Sequence, residues 1–164
     1  MKESTKQFLE NIIDPVVHYL GFDYEDERLI WVDDQYLYPA SALLLGTALA
    51  ESNLTHVKQM GGGPALGYFQ IEPQTHDDIW ENWLTYRDTT RGKVLALAKT
   101  ATPVCDLLRY NQAYGCALAR CHYRRQPDRI PDTIEEQAAY HKQYYNTPLG
   151  KGSVEHYLSA WEGR

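Results

Sequence analysis

Pro39-Ala40-Ser41-Ala42-Leu43-Leu44-Leu45-Gly46-Thr47-Ala48-Leu49-Ala50-Glu51-Ser52 is the stretch that decides the fold class. Proline fits the first turn of a helix, where its missing amide would find no partner, and the residues that follow are apolar almost to the end. The segment predicts a helix that packs into a core, with Glu51 in its last turn. At 100° per residue Glu51 shares a face with Leu44, Thr47 and Ala48, so a carboxyl ends a stripe that should be buried.

Reading outward from this helix, helical periodicity dominates and no alternating run is long enough for a substantial sheet. The expected fold class is mainly α, within an α+β plan, with at most a small β element near a cleft. Ser4 is expected to cap a first helix with a stripe of Phe8, Ile12, Val16 and Tyr19 or Leu20, stopped by Gly21. The acidic stretch Asp23 to Asp34 reads as loop. Gly61-Gly62-Gly63-Pro64 forbids a helix between Thr55 and Ala65, and Leu66 to Ile71 is the expected place for any β element. Thr75 is expected to cap the next helix, with Asp77 and Asp78 in its first turn and Ile79, Trp80, Trp83 and Leu84 facing inward. A helix is expected over Gly92 to Thr100. Thr102-Pro103 should open the longest helix, Val104 to about Arg125, ending before Pro127. Asp132-Thr133-Ile134-Glu135 resembles a capping box with Asp132 at the cap, leading a helix to Tyr145; Ser153 to Trp161 makes the last one. No repeat or linker interrupts the chain, so residues 1–164 read as one domain.

The composition narrows the function classes. A chain of 164 residues, 43% of them hydrophobic, can bury the core of one domain. Its longest apolar run, Ala42 to Ala50, falls well short of the ~20 residues of a membrane span, and the first residues lack the apolar region of a secretory signal. Net charge is −6, and the first 35 residues hold nine Asp or Glu against three Lys or Arg. Such a surface repels nucleic acid and anionic lipid. Cys105, Cys116 and Cys121 leave an odd thiol and read as small buried hydrophobes without a disulfide. His18, His56, His76, His122, His141 and His156 show no metal-ligand spacing, and Cys116, Cys121 and His122 point in different directions on a helix. Gly61-Gly62-Gly63 lacks the Gly-Lys-Ser/Thr ending of a phosphate loop. Arg120, Arg124, Arg125 and Arg129 read as a solvated helix end, or as a surface attracted to anionic peptides. Thirteen Tyr and four Trp suit a carbohydrate cleft, although Trp31, Trp80, Trp83 and Trp161 can each equally belong to a core.

A helix-terminal glutamate in water has no special meaning. On an apolar face, desolvation would favour its neutral form, and a protonated carboxyl can donate to a glycosidic oxygen as a general acid. Across a glycine-rich turn, Gly67-Tyr68-Phe69-Gln70-Ile71-Glu72-Pro73 offers aromatic and amide groups of the kind that hold a sugar.

Together these residues resemble the signature of the soluble lytic transglycosylases and the related goose-type lysozymes. The family pattern runs Glu-Ser, then Gly-Leu-Met-Gln-Ile, a proline two residues on, and a threonine two after that. Here Glu51-Ser52, Gly67 to Ile71, Pro73 and Thr75 match it in order. Asn111 and Gly115 resemble the family's Asn-x-x-x-Gly, and Tyr145-Asn146 followed by Gly150 and Gly152 resembles its Tyr-Asn-x-Gly segment. The likeness covers about Pro39 to Trp161. Tyr68-Phe69 departs from Leu-Met, Thr147-Pro148 stands where the family has Ala-Gly, and the insertion His56 to Ala65 is long enough to form a lip over the cleft.

The resemblance implies a lysozyme-like fold in which Glu51 is the catalytic acid and then the base, with no metal or organic cofactor. It implies that Ser52 positions the sugar or the carboxyl and that Tyr68 and Phe69 stack on sugar faces. Gln70 would hydrogen-bond the substrate, Tyr145 would place its hydroxyl near Glu51, and Asn146 would join the binding site. The substrate would be the β-1,4 bond between N-acetylmuramic acid and N-acetylglucosamine in peptidoglycan glycan strands. Lytic transglycosylases work with one carboxylate because the muramic acid's own 6-hydroxyl closes a 1,6-anhydro ring. A hydrolysing muramidase would need a second, for which Glu72 is the ambiguous candidate, Asp77 and Asp78 reading rather as helix-N-terminal charges.

The expected setting is a bacteriophage. The protein would be an endolysin released by a holin from the host cytoplasm to the periplasm and cell wall, or a virion component that opens the wall during infection. The rivals are a non-catalytic tail or baseplate module on a lysozyme-like fold, assembled with other virion proteins, and a chitinase-like hydrolase.

Overall fold

In the computed structural model, which describes residues 1–21, 28–32, 34–59, 61–146 and 152–164, the apolar stretch forms α3 (Pro39–Ser52), and only its Ala50 and Glu51 are not fully buried. A helix that is apolar all round has no solvent face, so others must surround it. They are α2 (Asp14–Leu20), α6 (Gln112–Arg124), α7 (Ile134–Tyr144) and α8 (Val154–Glu162), all packed on α3. The fold is mainly α-helical with one small antiparallel sheet.

The first helix differs in detail from its expected form. α1 (Glu3–Phe8) begins one residue before Ser4, and no side chain caps it. A π turn over Leu9–Ile13 then joins it to α2. The wider turn rotates the register, so Ile13 rather than Ile12 is fully buried and Tyr19 faces solvent. Gly21 does stop α2, at φ 76° with its amide donating to Val17 O over 3.1 Å.

The β element lies where a loop was expected. β1 (Ile30–Val32) and β2 (Gln35–Leu37) pair antiparallel, with Ile30 opposite Leu37 in the core and Trp31 opposite Tyr36 outside. Leu66 to Ile71, the expected β segment, holds isolated antiparallel β-bridges, Leu66 with Ile71 and with Lys58, around a tight turn rather than a strand. Leu66 and Ile71 exchange both backbone hydrogen bonds at 3.0 Å, while Gly67 and Gln70 take φ of 75° and 46°.

Further along, α4 (Pro73–Asn82) starts at Pro73 with Glu72 at the cap, so Thr75 already lies inside the helix. A 3-10 turn over Leu84–Tyr86 leads to α5 (Asp88–Ala98), which begins four residues before Gly92. The expected longest helix is interrupted. Cys105–Arg109 is a 3-10 turn, and Asn111 breaks the run by accepting from Tyr114 N at 3.0 Å and donating to Leu97 O at 2.8 Å. α6 therefore starts at Gln112, and Cys105 lies outside it.

At α7 the cap is Thr133, not Asp132. Its hydroxyl accepts from Glu136 N at 3.2 Å and donates to the Glu136 carboxylate at 3.0 Å, so the cap lies one residue later than expected. Thr133→Ala should cost about 1 kcal/mol, read by denaturant titration, because it removes this cap. An unchanged midpoint would show that packing alone holds the start of α7.

Candidate active site

Glu51 reaches a cleft of about 760 Å³ whose walls include Gln70, Glu72, His141, Tyr145 and Asn146. Its side chain is 17% exposed, so the carboxyl belongs to the wall and still opens to the cleft. The end of α3 is set by Asn53 and Leu54 in the left-handed region, at φ of 50° and 54°, which turn the chain away just past the carboxyl.

Among the described residues, two side chains hold Glu51. Asn146 Nδ2 donates to Glu51 Oε1 at 3.3 Å, and His141 Nε2 lies 3.2 Å from the same oxygen. The amide of Asn146 is oriented from the other side, its Oδ1 accepting from Gly152 N at 3.1 Å and from Lys142 Nζ at 3.4 Å. Gly152 is required by this contact, because a Cβ there would lie 2.5 Å from Asn146 Nδ2. Gly150 and the Thr147-Pro148 pair lie outside the described residues. If Glu51 is the working carboxyl, Gly152→Ala should reduce turnover about tenfold by displacing Asn146, the order of effect of losing one hydrogen bond. Unchanged turnover would remove Asn146 from the machinery.

Several expected sugar contacts are instead structural. Ser52 is buried, with its Oγ 2.9 Å from Ala48 O and 2.8 Å from Tyr68 O, and it fastens the Gly67–Ile71 turn to the end of α3. Phe69 is 1% exposed, so its ring has no face to offer a sugar. Tyr68 packs edge-on against Phe8 with ring centroids 5.6 Å apart and is not among the cleft-lining residues. Tyr145 does line the cleft, but its hydroxyl donates to Phe69 O at 2.7 Å rather than to Glu51. Burial, with the nearby Glu51 charge, holds that phenol well above its ordinary range. Gln70 remains on the wall, with Nε2 donating to Gly67 O at 2.8 Å and His56 O at 3.3 Å.

The carboxylates separate by partner. Asp77 meets His76 Nδ1 at 2.8 Å, and His76 Nε2 meets Tyr114 Oη at 2.7 Å. Asp78 accepts from Asn82 and from Arg125, and both hold its carboxyl below the usual range. Neither aspartate lines the cleft; Glu72 does. The inserted segment folds back on itself, with Gln59 N donating to Ala65 O at 3.0 Å, and puts His56, Gln59 and Ala65 on the rim. Arg120 is buried rather than solvated, and Arg125 is engaged by Asp78, so the expected basic cluster is not one open surface.

The residue that sequence reasoning missed is His141. It is 3% exposed and sits among Tyr123, Tyr145 and Tyr157, with Nδ1 3.0 Å from Tyr123 Oη. Its weak signal was an isolated histidine in a tyrosine-rich helix. His122 also lines the cleft, its Nε2 donating to Tyr144 O at 3.0 Å, and burial lowers its affinity for a proton. Among the described residues no three His, Cys, Asp or Glu are grouped to hold a metal ion, and no helix is long and apolar enough to cross a membrane. Comparisons with protein-family models, curated proteins and solved structures return no match.

Proposed function

We propose that this protein is a peptidoglycan-degrading lytic transglycosylase with Glu51 as its single catalytic carboxyl, acting for a bacteriophage in lysis or infection. The observation that carries the reading is the placement of Glu51. A mostly buried carboxyl opens on a cleft of about 760 Å³ and is held from behind by an amide and an imidazole. A pocket of several hundred Å³ with a few convergent polar groups is the usual form of a small-molecule site.

In this reading Glu51 gives its proton to the glycosidic oxygen as the C1–O bond breaks, and the new hydroxyl leaves with that proton. The carboxylate then takes the proton of the muramic acid 6-hydroxyl, which attacks C1 and closes the anhydro ring. Gln59, Gln70 and Asn146 put side-chain amides on the wall, groups suited to the acetamido and hydroxyl groups of the substrate. Glu72 on the same wall favours a second reading, a hydrolysing muramidase in which a second carboxylate supports attack by water.

Mass spectrometry of purified peptidoglycan digested by the protein separates the two. Anhydromuramic ends support the transglycosylase, and reducing ends support the muramidase. An intact wall that nonetheless retains the protein would overturn both in favour of a binding module.

A further inference from the structure

The hydrogen bonds behind Glu51 have a direction that follows from counting protons. Thr47 Oγ1 lies 2.8 Å from Leu43 O, and a carbonyl only accepts, so the threonine proton is committed there. The 2.7 Å contact between Thr47 Oγ1 and Tyr123 Oη then uses the tyrosine proton. Tyr123 has one to give, since burial holds its phenol well above the ordinary range. Having donated, Tyr123 Oη accepts, so the 3.0 Å contact with His141 Nδ1 needs a proton on Nδ1. The longer 3.5 Å approach of Thr47 Oγ1 to Nδ1 offers the same proton a second acceptor.

A neutral His141 therefore turns a bare Nε2 toward Glu51 Oε1, 3.2 Å away. A carboxylate oxygen and an unprotonated ring nitrogen repel, so the pair must share one proton. The groups facing His141 decide where it sits. Among the described residues they are Thr47 and Glu51 from α3, Tyr123 from α6, Tyr157 from α8 with its ring 5.2 Å away, and Tyr145, stacked at 5.4 Å. Burial raises all three phenols, so none supplies a counter-charge. Nearby, Lys142 Nζ reaches Asn146 Oδ1 and His156 Nε2 meets Ala50 O, and neither stabilises a cation at His141. A buried imidazolium here would lose its hydration for one counter-charge, Glu51, whereas a neutral pair avoids separating charge.

We propose that His141 is a positioning residue that keeps a proton on Glu51 in the resting site, its tautomer set from behind by Tyr123 and Thr47. The catalytic consequence rests on the glycosidase reading. Glu51 waits as an acid, and once its proton has gone to the leaving oxygen, the carboxylate faces a nitrogen without a proton. That repulsion drives Glu51 to recover a proton from the attacking hydroxyl, so His141 serves both halves of the cycle without bonding to substrate.

Long-range proton–nitrogen correlation spectra of the full chain, with histidine labelled and His141 assigned by its loss in His141→Gln, test the placement at neutral pH. The neutral Nδ1–H tautomer is expected, and it should persist in Glu51→Gln, whose amide can donate to Nε2. An Nε2–H tautomer would overturn the donor chain, and a doubly protonated ring would overturn the proton's place on Glu51. Tyr123→Phe, which removes the nearer acceptor for Nδ1–H and leaves only the 3.5 Å approach to Thr47 Oγ1, should raise the share of the Nε2–H form. On peptidoglycan, His141→Gln should lower kcat about tenfold with KM within about twofold, because the interaction is made to the acid and not to the sugar. A change confined to KM would overturn the role. The spectra need no substrate, so a protein that cleaves no glycan would sink the glycosidase reading and still decide where the proton sits.

Discussion

Under the proposed transglycosylase mechanism, Glu51→Gln is expected to lower glycan cleavage about 1,000-fold, the loss of general acid catalysis where one carboxyl does the work. That factor corresponds to about 4 kcal/mol of barrier. The substitution is close to isosteric, and the contacts that remain explain why the fold should survive it. Both contacts are made to Oε1, so the glutamine keeps one of them: with its amide nitrogen in that place it donates to Nε2 of His141 and gives up the hydrogen bond from Asn146 Nδ2. Thermal unfolding should therefore move by no more than about 1 kcal/mol. Release of soluble muropeptides, followed alongside the melting curve, checks both halves. Activity above about a tenth of wild type would mean that Glu51 is not the acid, and Glu72 would be the next residue to replace.

The second large effect concerns stability. Gly46 sits inside α3 where Tyr157 of α8 crosses it, and a Cβ there would lie 1.9 Å from Tyr157 Oη and 2.2 Å from Cζ. Tyr157 is fully buried, so its ring cannot swing out, and α8 would have to shift as a body. Gly46→Ala should cost about 3 kcal/mol despite alanine's better helix propensity, through forced overpacking. For a chain of this size that is a fall of about 10 °C in Tm. Gly92 in α5 is the control, because a Cβ there meets nothing within 4 Å. Gly92→Ala should raise stability by about 0.5–1 kcal/mol. Equal responses at the two positions would refute the idea that the close crossing of α3 and α8 requires a glycine.

What the sequence revealed follows from where each signal is stored. α3 was legible because proline marks its start and a long apolar run needs a buried helix. Its bounds and the place of Glu51 in its last turn agree with the structure. The hairpin was not legible because β1 and β2 have three residues each, too few for alternation to emerge from an acidic stretch. The cap of α7 was misplaced because Asp132 and Thr133 are both good caps and each has a glutamate three residues on; only the fold selects Thr133. Motif order located the turn at Gly67 but not the faces of its side chains. Phe69 and Ser52 therefore belong to the scaffold of the site, and the backbone carbonyls of Tyr68 and Phe69 do its fastening. His141 was hidden for a different reason. Its importance comes from three separate helices meeting at one ring, which no local pattern encodes.

The thiols carry one more consequence. Burial pushes Cys105 to about 11 and Cys121 to about 12, and Cys116 higher still, so almost no thiolate exists at neutral pH to be oxidised or to attack a disulfide. Cys116 and Cys121 also serve as packing atoms inside α6. A chain built in this way owes nothing to cross-links and offers little to oxidants. It can hold one fold on both sides of a redox boundary, with no covalent rearrangement on the way across.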